Sequence, residues 1–323
     1  MTGPGAGPVR HLLRDDDLTP AEQADVLALA AAYKADPFGP KPLAGPRTVA
    51  MVFDRPTLRT QASFAAGTAE LGGFPFQVDG SLAGIGVRES VADVARVLGR
   101  QAAAVVWRTA RQADLDEMAA WSGVPVVNAL TDDFHPCQLL ADLLTVREHF
   151  GRLAGLTAAF LGDGACNMGN SWVLAGAMAG VHVRVASPAG LEPHADVVTR
   201  AREVGAGTGG SVELTDDPRA AAEGADVVVT DTWVSMGREA EAADRLALLA
   251  PYALTQDVLD LADPDAIAMH CLPAYRGKEI AADVLDGPRS VVWDEAENRR
   301  HAQKAVLAFL VAGATADHLD GAP

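Results

Sequence analysis

Lysine is scarce in this chain: among 323 residues only Lys34, Lys41, Lys278 and Lys304 carry an ammonium side chain. With 43 acidic against 26 basic residues the formal net charge is −17, a field that repels nucleic acid and anionic membrane surfaces. An anionic small molecule would have to be held by local arginines. Cysteine is scarce too. Cys137, Cys166 and Cys271 are odd in number and show no CxxC or metal-type spacing, which argues against a disulfide framework or a structural zinc site and fits a reduced cytoplasm. Long apolar runs are missing: the opening MTGPGAGPVRHLLRDDD has no signal-peptide core, and no stretch approaches the roughly 18 apolar residues of a membrane span. A soluble, cytoplasmic protein with no membrane or nucleic-acid partner is expected.

What the chain does have is alternation. Short β-branched runs at Thr48 to Phe53, Ala102 to Trp107 and Val124 to Val127 are each followed by an amphipathic segment. A second series runs through Leu156 to Leu161, Val181 to Ala186, Ala225 to Thr230, Ala266 to His270 and Ser290 to Trp293. Strand and helix in turn predict an α/β protein with two doubly wound parallel-sheet domains. The helix from His135 to Phe150 is the expected link, punctuated by Gly151 and Gly155. The expected division is 1–150, 151–298 and 299–323, with a terminal helix from Asp294 to Val311 whose apolar positions return to the first domain.

Ligands of open α/β sheets gather at the carboxyl ends of strands, where helix N-termini offer unpaired N–H groups. After the first strand comes Asp54-Arg55-Pro56-Thr57-Leu58-Arg59-Thr60, a guanidinium and hydroxyls at a helix start, which suits a phosphate. Alone, it reads more plainly as an ordinary Thr N-cap with a surface arginine. Arg108 follows the next strand, and His135-Pro136-Cys137-Gln138 adds an imidazole and an amide. A histidine donating to a carbonyl while arginines hold a phosphate suits acyl-phosphate chemistry.

In the second half, Gly162-Asp163-Gly164-Ala165-Cys166-Asn167 imitates a dinucleotide fingerprint, but Asn167 stands where the third glycine belongs and no acid follows the next strand. No nucleotide cofactor is expected. Asp231, leading Asp231-Thr232-Trp233-Val234-Ser235-Met236-Gly237, emerges from an apolar strand where an amine could meet it, although in isolation it is equally a helix cap. His270-Cys271-Leu272-Pro273 follows another buried strand, where a lone cysteine is more often packing than chemistry.

Read in order from about His11 to Val311, these segments resemble the ornithine carbamoyltransferases of the aspartate/ornithine carbamoyltransferase family. That family shows Ser-Thr-Arg-Thr, His-Pro-x-Gln, Asp-x-x-x-Ser-Met-Gly and His-Cys-Leu-Pro in this order, and the last three stand intact here. The resemblance implies a carbamoyltransferase fold without metal or cofactor. Carbamoyl phosphate would be held by Thr57, Leu58 through its N–H, Arg59, Thr60 and Arg108, with His135 and Gln138 around the carbamoyl group. L-ornithine would be held by Asn167, Asp231, Ser235 and Met236, and Cys271, Leu272 and Arg299 would line the reaction centre. Arg108, His135, Asp231 and Cys271 would be catalytic. It further implies citrulline formation for arginine biosynthesis, and a homotrimer in which a loop around Ala83 to Arg88 reaches a neighbour's site.

The phosphate end departs from the family pattern. Thr57 replaces its serine, Leu58 its threonine, Gln61 its second arginine and Gly84 a glutamine, while Ala65 replaces a glutamate on the same helix face as Gln61. Cys166 replaces an asparagine beside the retained Asn167. Two other readings stay open on this account: transfer to another primary amine, or a carbamoyltransferase-like binding subunit with little activity.

Overall fold

The computed structural model describes residues 9–55, 57–234 and 242–315. Its contacts divide the chain into two compact units, Met1–Cys137 with Arg299–Pro323, and Gln138–Asn298. The divisions fall inside two helices, Pro136–Phe150 and Val292–Ala312. The first lies near the start of its helix, whereas the sequence placed it near the helix's end. Within the second unit, Asn298 donates to Thr145 Oγ1 at 2.9 Å and Glu148 Oε2 at 2.7 Å, and Gln138 donates to Glu295 at 3.0 Å.

Unit 1 is built on a parallel sheet of β1 (Thr48–Phe53), β2 (Phe74–Asp79), β3 (Ala104–Arg108) and β4 (Val126–Leu130), in the order β2-β1-β3-β4. β1 and β3 are apolar on both faces because helices cover both sides, as βαβ crossovers require. β2 was not expected from the sequence: it is an edge strand, half exposed and interrupted by Pro75, so it lacks the unbroken apolar run that marks a buried strand. The helix Pro20–Ala35 starts on a full capping box, Thr19 Oγ1 accepting from Glu22 N–H at 3.2 Å and Glu22 accepting from Thr19 N–H at 2.9 Å.

The terminal helix joins this unit as expected. Lys304 is wholly buried there, donating to Glu70 Oε2 at 2.7 Å and to the Pro37 carbonyl at 2.6 Å, with Arg300 on the other Glu70 oxygen. An ammonium removed from water needs such partners.

Unit 2 carries β5 (Thr157–Leu161), β6 (His182–Ala186), β7 (Ser211–Thr215), β8 (Val227–Thr230) and β9 (Ile267–His270), all parallel, in the order β7-β6-β5-β8-β9. β7 is a second short edge strand that the sequence pattern did not reveal. Conversely, the β-branched run from Ser290 to Trp293 is not a strand: Ser290 makes one isolated bridge to Ala268, and the helix begins at Val292. Its valines are buried, which is all that the run had signalled. The helix Asn167–Met178 is buried along most of its length because small residues admit close neighbours; a Cβ on Gly169 would lie 2.2 Å from the Gly164 carbonyl oxygen.

Both sheets reverse their strand order beside a central strand, between β1 and β3 and between β5 and β8. At such switch points adjacent crossovers leave on opposite faces and open a crevice beyond the strand ends. Arg59 follows and Arg108 ends the strands that flank the first switch point, and Asn167 and Asp231 follow those that flank the second, whereas His135 and Cys271 follow the neighbouring strands β4 and β9.

Candidate active site

In unit 1, the loop after β1 runs into the helix Arg59–Glu70, whose N-cap position is Leu58. Leucine cannot accept a hydrogen bond, so the first turn has no side-chain cap, and Leu58 is 77% exposed. Thr60 is buried in that turn. Arg108, ending β3, donates to Thr57 Oγ1 at 3.4 Å. Arg299, from the terminal helix, donates to Thr60 Oγ1 at 3.5 Å, so a residue expected to line the reaction centre sits with the loop expected to hold phosphate, within this unit.

His135 is buried beside these groups, and its imidazole is held well below the usual range, first by burial and then by Arg299, Arg108 and Arg59. Three guanidinium groups thus converge on one neutral imidazole. Like charges gathered at a helix start are poorly arranged for an empty protein and well arranged for a dianion. A neutral His135 still has one N–H, which can donate to a carbonyl oxygen without adding charge.

His11 and His301 in the same unit are also depressed, His301 to about 4, mainly by burial, and His11 accepts the Val126 N–H through Nδ1. Below the ordinary value of 6.5 the unfolded chain gains protons on these histidines that the fold resists. Stability present at pH 7 is therefore lost as pH falls through 6 towards 4, at most about 1.4 kcal/mol per pH unit for each proton. Urea midpoints should fall between pH 7.5 and pH 5; an unchanged midpoint would contradict this reading.

In unit 2, Asp231 follows β8 and Cys271 follows β9. The Cys271 thiol donates to Asp231 Oδ1 at 3.1 Å, and the Thr232 N–H donates to the same oxygen at 2.7 Å. Burial pushes Asp231 up, and burial followed by the charge of Asp231 pushes the thiol well above its ordinary range. The sulfur is therefore a thiol at neutral pH. His270 Nδ1 accepts the Leu272 N–H at 2.9 Å, which puts the ring proton on Nε2, 3.4 Å from Glu279 Oε1. Leu272 has φ 59°, a left-handed conformation unusual for a leucine and characteristic of functional turns.

Asp231, His270 and Cys271 bring ligand-type atoms within 4.8 Å of one another, the one such cluster among the described residues. The linear spacing had not revealed it. Those donor types are ones a divalent ion takes, but an ion there would have to displace the Leu272 N–H or the ring proton from His270 as well as the thiol proton.

Asn167 opens the helix Asn167–Met178, where the preceding Cys166 caps the turn through its sulfur. Gly162 takes φ 126° with the Trp233 indole against it; a Cβ there would lie 3.0 Å from Trp233 Nε1. The turn after β5 and the loop after β8 are thus held together, and Arg245 bonds the Trp233 carbonyl at 2.9 Å and the Asp163 carboxylate. Ser235 and Met236 lie outside the described residues. The sequence reading missed Glu279, Glu295, Asp142 and the Asp163–Arg245 pair, all buried polar groups that only tertiary contact distinguishes from surface acids and bases.

Comparison with known proteins covers nearly all of the chain. Residues 10–148 match the family model for the aspartate/ornithine carbamoyltransferase carbamoyl-P binding domain, and residues 154–310 match that for the Asp/Orn binding domain. An ornithine carbamoyltransferase of Clavibacter michiganensis is 61% identical over 94% of this chain and 98% of its own length. That of Renibacterium salmoninarum is 58% identical over 94% and 98%. Among solved structures, ornithine carbamoyltransferase from Pyrococcus furiosus superposes with a TM-score of 0.90 at 41% identity, covering 95% of this chain and 98% of that one.

Proposed function

The chain belongs to the aspartate/ornithine carbamoyltransferase family, and from that premise we propose that it transfers the carbamoyl group of carbamoyl phosphate to the side-chain amine of L-ornithine, giving L-citrulline and phosphate. The observation that carries this reading is the contrast in charge: Arg59, Arg108 and Arg299 converge on His135, whereas Asp231 and Glu279 flank His270 and Cys271. The first suits a phosphate. The second suits an amino acid bearing an extra amine and would repel a dicarboxylate such as aspartate.

Thr57, the Leu58 N–H, Arg59, Thr60 and Arg108 hold the phosphate. Arg108, Thr60 and neutral His135 donate to the carbamoyl oxygen as it gains charge, each such donor contributing roughly 2.7–4 kcal/mol. Asn167, Asp231, Ser235 and Met236 bind ornithine, Asp231 through the α-amine. The δ-amine attacks as the neutral base, against an ordinary pKa near ~10.4. Because the Cys271 proton is directed to Asp231, its sulfur presents lone pairs, an environment that accepts an N–H of the neutral amine without rewarding the ammonium form. The C–N bond forms, the C–O bond to phosphate breaks, and the amine proton leaves on the departing phosphate. Metal is not required for these steps.

Arginine biosynthesis in the cytoplasm is the proposed setting; among the described residues no helix is long and apolar enough to cross a membrane. We further read the chain as a homotrimer. Phe74 on the edge strand β2 is 57% exposed, Leu82 80% and Val87 93%, apolar groups that a second copy would cover. Sedimentation as a single 33.5 kDa chain would end that part of the reading.

The test is a ureido-product assay with carbamoyl phosphate and ornithine, lysine, diaminobutyrate, diaminopropionate, putrescine and aspartate. Citrulline should dominate. Preference for another amine would reassign the acceptor, and no product from any would mark Leu58 and Gly84 as signs of a subunit that no longer transfers carbamoyl groups.

A further inference from the structure

We propose that Glu295 is a positioning residue for carbamoyl transfer: one buried carboxylate that both aims the Gln138 amide and anchors the strand end leading into Cys271. The inference deepens the carbamoyl-transfer reading and rests on it. Gln138 Nε2 lies 2.7 Å from Asp142 Oδ1 and 3.0 Å from Glu295 Oε1, with all three side chains buried. The orientation of the amide follows from chemistry: an oxygen placed between two carboxyl oxygens would set acceptor against acceptor, so the NH2 must face them. The Gln138 carbonyl is thereby turned the other way. A carbamoyl group ends in an NH2 and needs an acceptor, and the opposite amide flip would offer it another donor.

The second oxygen of Glu295 accepts the His270 N–H at 3.0 Å, and His270 Nδ1 in turn accepts the Leu272 N–H at 2.9 Å. One carboxylate therefore couples the residue that faces the carbamoyl nitrogen to the backbone on either side of Cys271. Glu295 lies in the first turn of the helix Val292–Ala312, where the helix dipole favours a negative charge. Its charge also raises the Cys271 thiol, behind burial and Asp231.

Glu295→Gln is the informative change, because glutamine can accept only one of the two N–H groups and turns its own NH2 on the other. With one partner released, kcat should fall about 100-fold, the scale of a slight misplacement of a reacting group. Inorganic phosphate, used as a product inhibitor, should keep its inhibition constant within about twofold, since its proposed ligands are the unit 1 arginines and hydroxyls. In a Gln138→Ala background the same change should cost less than about threefold, because the amide it aims is gone and the new glutamine can turn its carbonyl oxygen to the His270 N–H. Should Glu295→Gln fail to fold, Asp142→Leu serves instead: it leaves the His270 bond intact, and kcat should fall at least about tenfold at an unchanged phosphate constant.

A kcat for Glu295→Gln within about threefold of the unsubstituted enzyme, or losses that multiply fully with Gln138→Ala, would overturn the inference. So would an Asp142→Leu enzyme of full activity. Absence of citrulline from the unsubstituted chain would instead sink the parent reading, and this one with it.

Discussion

Replacing Arg108 with alanine is expected to lower kcat/KM for carbamoyl phosphate by about a thousandfold, the cost of losing one charged donor to a developing oxyanion together with part of the phosphate charge. Arg108 stands at the end of β3, beside the switch point, and reaches Thr57 Oγ1 at 3.4 Å. In the proposed site, Leu58 and Gly84 stand where the family resemblance implies polar side chains, so fewer groups would share the phosphate and each arginine would carry more of it. Arg108→Lys should recover only a small part, because an ammonium cannot reproduce a planar fork aimed at two oxygens. The substitution has a second signature. Arg108 is one of three guanidinium groups that disfavour a charged His135, so its removal should raise the pH at which that imidazole titrates, measurable by NMR. Steady-state kinetics at saturating ornithine decide the first point; a loss under tenfold would remove Arg108 from the carbamoyl phosphate site.

The buried strands were legible from sequence because a parallel sheet covered on both faces leaves uninterrupted apolar runs, as in Val49 to Phe53 and Val227 to Val229. The edge strands were not: Phe74–Asp79 carries a proline and exposed positions, and Ser211–Thr215 alternates weakly. The run from Ser290 to Trp293 shows the converse failure, since β-branched residues report burial before they report a strand. For the site, strand-end logic pointed to Arg59, Arg108, His135, Asp231 and Cys271, each in or just beyond the segment that follows an apolar run. It could not find Glu295, which lies 157 residues from Gln138 and looks in sequence like any acid in a first helical turn. Nor could it assign Arg299, whose partner Thr60 is 239 residues away.

Asp231→Asn should move two observables in opposite directions. Ornithine turnover should fall, with kcat/KM for ornithine down by roughly 10²–10³, because an ammonium bound against a buried carboxylate loses its counter-charge; breaking such a pair costs about 3–5 kcal/mol. Thiol reactivity should rise. Asp231 accepts the Cys271 proton and is, after burial, the largest influence holding that thiol protonated, so removing its charge lowers the thiol's pKa. Alkylation of Cys271 by iodoacetamide at fixed pH should become faster, and its pH profile should shift to lower pH without a matching loss of melting temperature. Cys137 serves as an internal control, since burial pushes its thiol up to about 12 and no charge from Asp231 contributes to that shift. Faster labelling at both cysteines would mean that the fold had loosened. Faster labelling at Cys271 alone, with ornithine turnover lost, is the pattern required if Asp231 both binds the acceptor and keeps the neighbouring sulfur neutral; an ornithine kcat/KM within about tenfold of the unsubstituted enzyme would take Asp231 out of the acceptor site.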